Sequence, residues 1–432
     1  MTHEQKVEDI AETLKRQEPG RPVSLKKKSV SHQVPKKIEP KRRDGKIDIS
    51  DLNKILSIDP LKKRCTAEPG VTFHDLVAET LKYGLVPIIV PELKGITLGG
   101  AVSGCSVESA SYRYGGFHDT CLSYEVITAS GEIKECRPDG ENSLLFQMMH
   151  GSFGTLGILS KLQFLVREAK PYVHIRYRHY NTIEEYRRAI EKFYRQGQDD
   201  FIDGIIHSEK QFTLCIGNFC SEAPYLHSYT WLKPYYKSTR VRNEDYMEIK
   251  NYFFRYDPDC HWIARNYGLE NPVLRLLAGK FFLSSEKMLT LARNHPGIFN
   301  SGNPQVIVDV FIPFKKITEF LDFYLADISY YPLWVVPYKP SHPYEWLNPE
   351  FADDELFIDF AVYGMKPKAD IDYYRLIEKK LLEIKGIKTL ISHNSYTREE
   401  FWKVWNKENY TRVKEYTDPQ NIFRNLYEKT SG

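Results

Sequence analysis

Two glycine-rich segments hold the residues best suited to bind an anionic or planar ligand. Residues 95–106 and 151–157 mix glycine with alanine, serine and threonine, and they lie close together in the chain. Glycine has no Cβ, so backbone N–H groups in such loops can approach a phosphate or a flat ring. Two tight turns are the structural alternative. Two such segments in one region favour a cofactor site.

The usual nucleotide motifs are absent from both segments. Neither contains GxGxxG after a strand, and neither contains GxxxxGK[ST]. A Rossmann dinucleotide site and a P-loop are therefore disfavoured.

Predicted helices and strands flank both segments. Thr72, with Asp75 three residues later, predicts a helix from Phe73 that ends at Gly84. The apolar run Leu85–Val90 then predicts a buried strand, which completes a β-α-β unit before the first segment. Further strands are expected at Tyr124–Ser130, Ile133–Cys136 and Ile158–Arg167, and a helix at 141–150.

The composition changes beyond Pro171, where glycine becomes rarer and tyrosine, phenylalanine and tryptophan become frequent. Strands alternate there with helices, which indicates a second domain of α+β type with its own core. The strands are predicted at Gln211–Gly217, Val306–Ile312 and Leu356–Tyr363, and the helices at Ile183–Arg195, Ile317–Ala326 and Ile371–Ile384.

Length and composition exclude several classes of protein. The chain has 432 residues, of which 42% are hydrophobic and 27% charged. This rules out disorder, a coiled coil and a small disulfide scaffold, and the length predicts about two or three domains. The net charge of +3 conceals a basic amino-terminal region, because the runs 26–28 and 36–43 are rich in lysine and arginine. Such runs attract nucleic acid, acidic membranes or phosphorylated ligands, although a solvated loop is the commoner explanation.

Cysteine usage and hydropathy indicate a cytoplasmic protein. The seven cysteines include no CxxC pair, the amino terminus carries no secretory signal, and 18 apolar residues never run together. An alternative hypothesis is that aromatic stretches such as Tyr235-Tyr236 make peripheral contact with a membrane. Asp257-x-Asp259-Cys260-His261 matches no zinc spacing, so we expect no metal site.

Several strings together resemble a known family. They are Pro91-Glu92-Leu93, Thr97-Leu98-Gly99-Gly100-Ala101-Val102, Glu108-Ser109-Ala110-Ser111-Tyr112-Arg113-Tyr114-Gly115, Gly154-Thr155-Leu156-Gly157, Tyr331-Pro332-Leu333-Trp334 and Arg398-Glu399-Glu400-Phe401-Trp402. They resemble the FAD-binding flavoproteins of the vanillyl-alcohol-oxidase or PCMH type, and more narrowly their Δ24-sterol reductase branch. The resemblance covers most of the chain from about residue 46.

The resemblance implies an α+β fold in two domains. A PCMH-type FAD-binding domain of two subdomains would span residues 1–170, with a basic loop at 20–45. An α+β cap domain at 171–390 would form the substrate pocket, and a helical segment at 391–432 would return to the FAD-binding domain.

The resemblance also implies which residues hold a non-covalent FAD. The set is Ser29, Ser31 and His32 in the first loop, then Thr97, Leu98, Gly99, Gly100, Ala101, Val102, Ser103, Gly104, Cys105, Ser106, Val107, Glu108 and Ser109, then Gly154, Thr155 and Gly157. The first loop departs from the family because it is rich in lysine and serine instead of glycine. A covalent bond from His32 or Cys105 to the flavin is disfavoured.

By resemblance, the reaction is reduction of a carbon–carbon double bond in a sterol or isoprenoid-like lipid, with hydride passing through FAD and NADPH as a candidate donor. Such a reduction also needs a proton donor. We predict Tyr396 and His393 for this role; Asn394, Asp359 and Tyr363 are further candidates.

Two other functions stay open. One is a flavin-dependent oxidase or dehydrogenase of an alcohol, sugar or polyol. The other is a flavin-binding or basic binding module without catalysis. The predicted ligand is a small apolar molecule rather than a nucleic acid, and the oligomeric state cannot be read from the sequence.

Overall fold

A computed structural model describes residues 1–29, 44–229, 232–259, 305–366, 368 and 370–431, together with single residues and short stretches between 262 and 290. Predicted cofactor residues Ser31 and His32 lie outside this described part.

The amino-terminal half is built on a six-stranded sheet. Its strands are β3 (Ile55–Asp59), β4 (Arg64–Ala67), β5 (Leu85–Pro87), β6 (Cys121–Ile127), β7 (Ile133–Cys136) and β8 (Ile158–Glu168). The order is β3-β4-β8-β6-β7, and β5 also pairs with β8. A separate parallel pair joins β1 (Val23–Lys26) to β2 (Gly45–Asp48). The helices are α1 (His3–Lys15), α2 (Phe73–Thr80), α3 (Leu98–Ser103), α4 (Ser111–Tyr114) and α5 (Ser143–Met148).

An eight-stranded sheet forms the second half. Its strands are β9 (Tyr172–Tyr180), β10 (Phe201–Ser208), β11 (Gln211–Cys220), β12 (Glu244–Glu248), β13 (Val306–Pro313), β14 (Leu333–Tyr338), β15 (Phe357–Met365) and β16 (Ile387–Lys388). The order is β12-β9-β11-β10-β14-β15-β13-β16. The helices here are α6 (Ile183–Gln196), α7 (Tyr235–Ser238), α8 (Ile249–Phe253), α9 (Ile317–Asp327) and α10 (Tyr373–Ile384). The mixture of sheets and helices confirms the α+β fold class.

Local sequence signals explain how the element before the first glycine-rich segment forms. The Thr72 hydroxyl accepts a hydrogen bond from the backbone N–H of Asp75 at 3.2 Å, so α2 begins at Phe73. Gly84 ends this region with a left-handed φ of 69°. The strand that follows stops at Pro87, three residues before the predicted end.

The two large sheets meet at the point where the composition changes. Strand β8 ends at Glu168 in the first sheet, and β9 begins at Tyr172 in the second. The second sheet buries side chains on both faces: one face packs against α6, α9 and α10, and the other turns toward the first half. The eight-stranded sheet therefore forms one side of any site between the two halves.

The end of the chain returns to its beginning. Helices α11 (Arg398–Val404), α12 (Lys407–Thr417) and α13 (Leu426–Thr430) follow the second sheet. Phe423 forms a parallel bridge with Val23, and the buried Lys414 ammonium donates to the Thr155 carbonyl at 2.9 Å. This contact ties α12 to the second glycine-rich segment. No helix among the described residues is long and apolar enough to cross a bilayer.

A paired arginine and glutamate hold α10 against α11. The Arg375 guanidinium donates to both carboxylate oxygens of Glu400, at 2.6 and 2.7 Å, and these bonds lower the pKa of Glu400 to about 2. Because the folded pKa is depressed, this stabilisation is present above the unfolded pKa of about 4.3 and is lost as pH falls toward 2.

We expect Glu400→Gln to destabilise the protein by about 1–2 kcal/mol at pH 7, because charge-assisted hydrogen bonds weaken. Thermal unfolding should be measured from pH 7 to pH 2. The difference in unfolding midpoint between the variant and wild type should diminish below about pH 4. Glu399→Gln is the matched control, since Glu399 is exposed and contacts Lys403 at 3.3 Å. Equal midpoints for the two variants at pH 7 would contradict this prediction.

Candidate active site

The two glycine-rich segments lie against each other. The backbone N–H of Gly151 donates to the Val102 carbonyl at 3.4 Å, and that of Phe153 donates to the Ser103 carbonyl at 3.3 Å. The structure therefore places both sequence-predicted loops in a single surface.

The first segment folds into the short helix α3. The Thr97 hydroxyl caps it by accepting a hydrogen bond from the Gly100 N–H at 3.3 Å. The two adjacent glycines have different surroundings. A Cβ on Gly99 would lie 2.7 Å from Cβ of Pro69, whereas a Cβ on Gly100 would meet only the Thr97 hydroxyl within 4 Å, at 3.1 Å. Gly99 thus packs against protein, and Gly100 leaves open space.

The second segment turns on glycines with positive φ. Gly151 and Gly154 have φ values of 66° and 69°. A Cβ on Gly151 would lie 3.6 Å from Sγ of Cys105 and 3.7 Å from the Trp346 ring. The Lys429 ammonium of α13 donates to the Phe153 carbonyl at 2.6 Å. Lys429 thereby adds a cation to this segment, which sequence motifs did not indicate.

A cavity opens between the joined segments and the second sheet. Its floor comes from the glycine-rich segments, and aromatic and aliphatic side chains form its walls. The lining consists of Gly104, Cys105, Val107, Gly151, Phe153, Phe311, Tyr338, Pro340, Tyr344, Trp346, Leu347, Ala352, Phe357, Ile387, Lys388, Thr389, Leu390 and Trp405. A mostly apolar lining of this kind is typical of small-molecule sites.

Few polar groups face this cavity. The Tyr338 and Tyr344 hydroxyls hydrogen-bond to each other, and Tyr344 also donates to Asp119 at 2.7 Å. The buried indole N–H of Trp346 has no hydrogen-bond partner among the described residues. An acceptor on a bound ligand could satisfy this donor.

Glu108 and Ser109 are already engaged with protein. The Glu108 carboxylate bonds the backbone N–H of Ser109 at 2.6 Å and lies 3.0 Å from the fully buried Arg255 guanidinium. The Ser109 hydroxyl lies 3.1 Å from the Tyr252 hydroxyl. Their placement as cofactor residues stays a prediction, and the structure shows them joining the first segment to β10 and α8.

The remaining predicted cofactor residues lie in three places: after β1, in the second glycine-rich segment, and in or just after α3. Ser29 lies just beyond β1 and is half-buried. Thr155 is fully buried, and Gly157 packs so closely on β6 that a Cβ would lie 2.7 Å from Cγ1 of Val126. Within α3, Leu98, Ala101 and Val102 are buried and Ser103 is half-buried, and Ser106 beyond the helix is half-buried as well.

Tyr396 and His393 lie behind the cavity wall. The Tyr396 ring packs edge-on against Trp405, which lines the cavity, and its buried hydroxyl has no hydrogen-bond partner among the described residues. His393 is half-buried beside Tyr374, and its carbonyl accepts from Lys388. Neither side chain lines the cavity. Their catalytic role stays a prediction.

Three acidic side chains gather beside the cavity. They do not line it themselves, but Thr389, which bonds one of them, does. Asp309 on β13 and Asp359 on β15 are 6% and 2% exposed, and Glu92 approaches them from the loop after β5. Burial raises the pKa of Glu92 to about 8 and of Asp309 to about 6, and raises that of Asp359 well above its usual value. Sequence reasoning named only Asp359, because strand periodicity alone does not show that these residues converge.

Comparisons with known proteins agree with this geometry. A family model described as FAD binding domain matches residues 2–137. The Delta(24)-sterol reductase of Homo sapiens is 28% identical over 99% of this chain and 86% of its own length. The Delta(24)-sterol reductase of Arabidopsis thaliana is 23% identical over 90% of this chain and 77% of its own. The decaprenylphosphoryl-beta-D-ribose oxidase of Mycolicibacterium smegmatis is 33% identical over a shorter stretch, 26% of this chain and 25% of its own.

The fold, the joined glycine-rich loops and the matched domain make this chain an FAD-dependent oxidoreductase with a PCMH-type FAD-binding domain. It is related over nearly its whole length to the Delta(24)-sterol reductases. The residues present fit a flavin: the open side of Gly100 allows close backbone approach, and the indole N–H of Trp346 offers a donor.

Proposed function

We propose that this enzyme reduces a carbon–carbon double bond in a sterol or isoprenoid-like lipid. The cavity carries this proposal, because its walls are almost entirely aromatic and aliphatic. An apolar wall favours a hydrocarbon skeleton and offers little to a sugar or polyol, whose hydroxyls each need a hydrogen-bond partner. The relatives named Delta(24)-sterol reductase support the same substrate class.

Separate roles for the two halves of the protein, one for FAD and one for the substrate, are consistent with this function. We propose residues 1–170 with 391–432 as the FAD-binding part and 171–390 as the cap. Bound FAD supplies two-electron hydride chemistry, and the protein provides orientation, a proton and exclusion of water. Phe311, Tyr338 and Phe357 of the cap sheet cover the cavity from the side opposite Gly104 and Gly151.

An anaerobic electron-transfer experiment tests the reaction. The purified flavoprotein is reduced with NADPH, or with dithionite if NADPH does not react, and is then mixed with a Δ24-unsaturated sterol, a polyprenol or a polyol. Reoxidation of the flavin by an alkene, with a product two hydrogens heavier, would support alkene reduction. Bleaching of the oxidised flavin by a polyol, with oxygen consumption in air, would instead identify an alcohol oxidase.

Filling the cavity should separate substrate binding from cofactor binding. Ala352 is half-buried in the cavity wall, so Ala352→Trp would occupy space that a large lipid needs. We expect kcat/KM for the sterol to fall by about tenfold or more, the equivalent of 1–3 kcal/mol of overpacking, while FAD content stays the same. Leu61→Trp, at a position 96% exposed, is the matched control. Unchanged sterol kinetics in Ala352→Trp would argue against this cavity as the substrate site.

A further inference from the structure

Asp359 places a buried, partly unpartnered carboxyl next to the cavity. It is 2% exposed, and its Oδ1 has no hydrogen-bond partner among the described residues. Phe357, two residues earlier on β15, lines the cavity, and so does Phe311, which is paired with Asp359 across β13. Alternate residues of a strand share a face. The Asp359 side chain therefore lies on the cavity face of the sheet.

Two further carboxyls and a phenol adjoin Asp359. Asp309 shares the face of Phe311 on β13, and it accepts hydrogen bonds from the Tyr363 hydroxyl and from the Thr389 hydroxyl at 3.4 Å. Glu92 comes from the opposite half of the protein, and among the described residues its carboxyl forms a hydrogen bond with its own backbone but no ion pair. Thr389 itself lines the cavity, so the group reaches its wall.

Among the described residues, none of these three carboxyls forms an ion pair, and Lys388 of the cavity lining is paired with Glu378. Arg255 is the cation that acts on Glu92, and it is itself paired with Glu108 and Asp203. Apolar surroundings without a dedicated counter-ion favour the neutral form of a carboxyl. A neutral carboxylic acid can donate a proton at a pH where an exposed carboxyl could not.

We propose that Asp359 is the proton donor for the alkene, with Asp309 and Tyr363 as positioning residues. This inference rests on the proposed alkene reduction. A hydride forms a C–H bond at one alkene carbon, and the π electron pair forms a bond from the other carbon to the carboxyl proton of Asp359. The O–H bond breaks and leaves a carboxylate, which a proton from water restores. The two electrons come from reduced flavin, which a nicotinamide dinucleotide regenerates.

The holoenzyme variant Asp359→Asn tests this assignment. Anaerobic rapid mixing would measure two steps separately: reduction of the flavin by the donor, and its reoxidation by a Δ24-unsaturated sterol. We expect reoxidation to slow by about 10²–10⁴-fold, the range for loss of a general acid, with FAD content and flavin reduction unchanged. Asp245→Asn is the matched control, because Asp245 is also buried but lies on edge strand β12 with His227 and Tyr229.

The pH profile adds a second readout. Donation requires the protonated form, so wild-type reoxidation should be constant at low pH and should fall as pH rises through the raised pKa of the cluster. Tyr363→Phe should shift the pH at which the reoxidation rate falls, but reoxidation should still occur. Reoxidation of Asp359→Asn at the wild-type rate would overturn the proposal.

Infrared spectroscopy distinguishes failure of this proposal from failure of the proposed function. If wild type reduces no alkene, the function is wrong, yet the protonation of Asp359 can still be measured. A carboxylic C=O band in the wild-type holoenzyme at neutral pH, lost in Asp359→Asn, would support a neutral Asp359. Absence of that difference would overturn the donor assignment, whichever reaction the enzyme catalyses.

Discussion

Replacing Arg255 by methionine should destabilise the protein by about 3–5 kcal/mol, because it leaves two buried carboxylates without their cation. The Arg255 side chain is fully buried, with its Nη2 3.0 Å from Glu108 and 2.9 Å from Asp203. Its guanidinium also lies over the Tyr252 ring at 4.2 Å. Methionine retains much of the aliphatic volume of arginine. The loss of stability therefore reports the missing charge rather than a change in packing. The midpoint of thermal unfolding, with FAD bound, reports the change.

A compensating variant makes that prediction specific. Adding Glu108→Gln and Asp203→Asn to Arg255→Met removes both unpaired charges, so stability should partly recover. Asp203 also accepts from Tyr256 and from the Trp334 indole, at 2.8 and 2.9 Å, and an asparagine oxygen can keep these bonds. An Arg255→Met protein as stable as wild type would show that the cluster is not a stabilising ion pair.

The Arg255 cluster also bears on the cofactor site. Glu108 lies two residues beyond the first glycine-rich segment, and the Ser109 carbonyl accepts a hydrogen bond from the Ile202 N–H of β10 at 2.8 Å. The Lys94 N–H donates to Asp257, just beyond Arg255, at 3.0 Å. These contacts attach both ends of the segment to the second half of the protein. We expect Arg255→Met to weaken FAD retention as well as stability.

Signals local in sequence predicted the elements around the loops. The Thr72 cap and the Gly84 helix end depend on a few adjacent residues, and the structure confirms both of them. Strands β9, β10 and β14 were not predicted, although β9 alternates the buried Val173, Ile175 and Tyr177 with polar residues, a pattern typical of a strand.

Long-range contacts explain what the sequence could not show of the site. Asp309 and Asp359 are separated by 50 positions, yet pairing of β13 with β15 brings them to one face. Glu92 joins them only through packing of the two halves, which no motif encodes. Tyr396 and His393 looked equally suitable as proton donors, because nothing local indicates that Trp405 would stand between Tyr396 and the cavity.

Gly100→Leu should abolish or strongly weaken FAD binding while leaving the fold intact. The Cβ of a residue at this position meets only the Thr97 hydroxyl within 4 Å, so a leucine side chain would extend into the space assigned to the cofactor. We expect the dissociation constant for FAD to rise by roughly 5- to 150-fold, corresponding to about 1–3 kcal/mol of overpacking. Flavin absorbance after desalting, and titration of the apoprotein with FAD, measure the effect.

Two other glycines control for general damage. Gly140 is exposed with a φ of 95° and no atom within 4 Å of its Cβ position, so Gly140→Leu adds backbone strain far from the loops and should retain FAD. Gly99→Leu would collide with Pro69 and should reduce stability as well as flavin content. Loss of FAD from Gly100→Leu at an unchanged apoprotein unfolding midpoint would separate cofactor exclusion from misfolding. Full retention in Gly100→Leu would place the flavin elsewhere, because the open side of α3 is the feature on which the loop assignment depends.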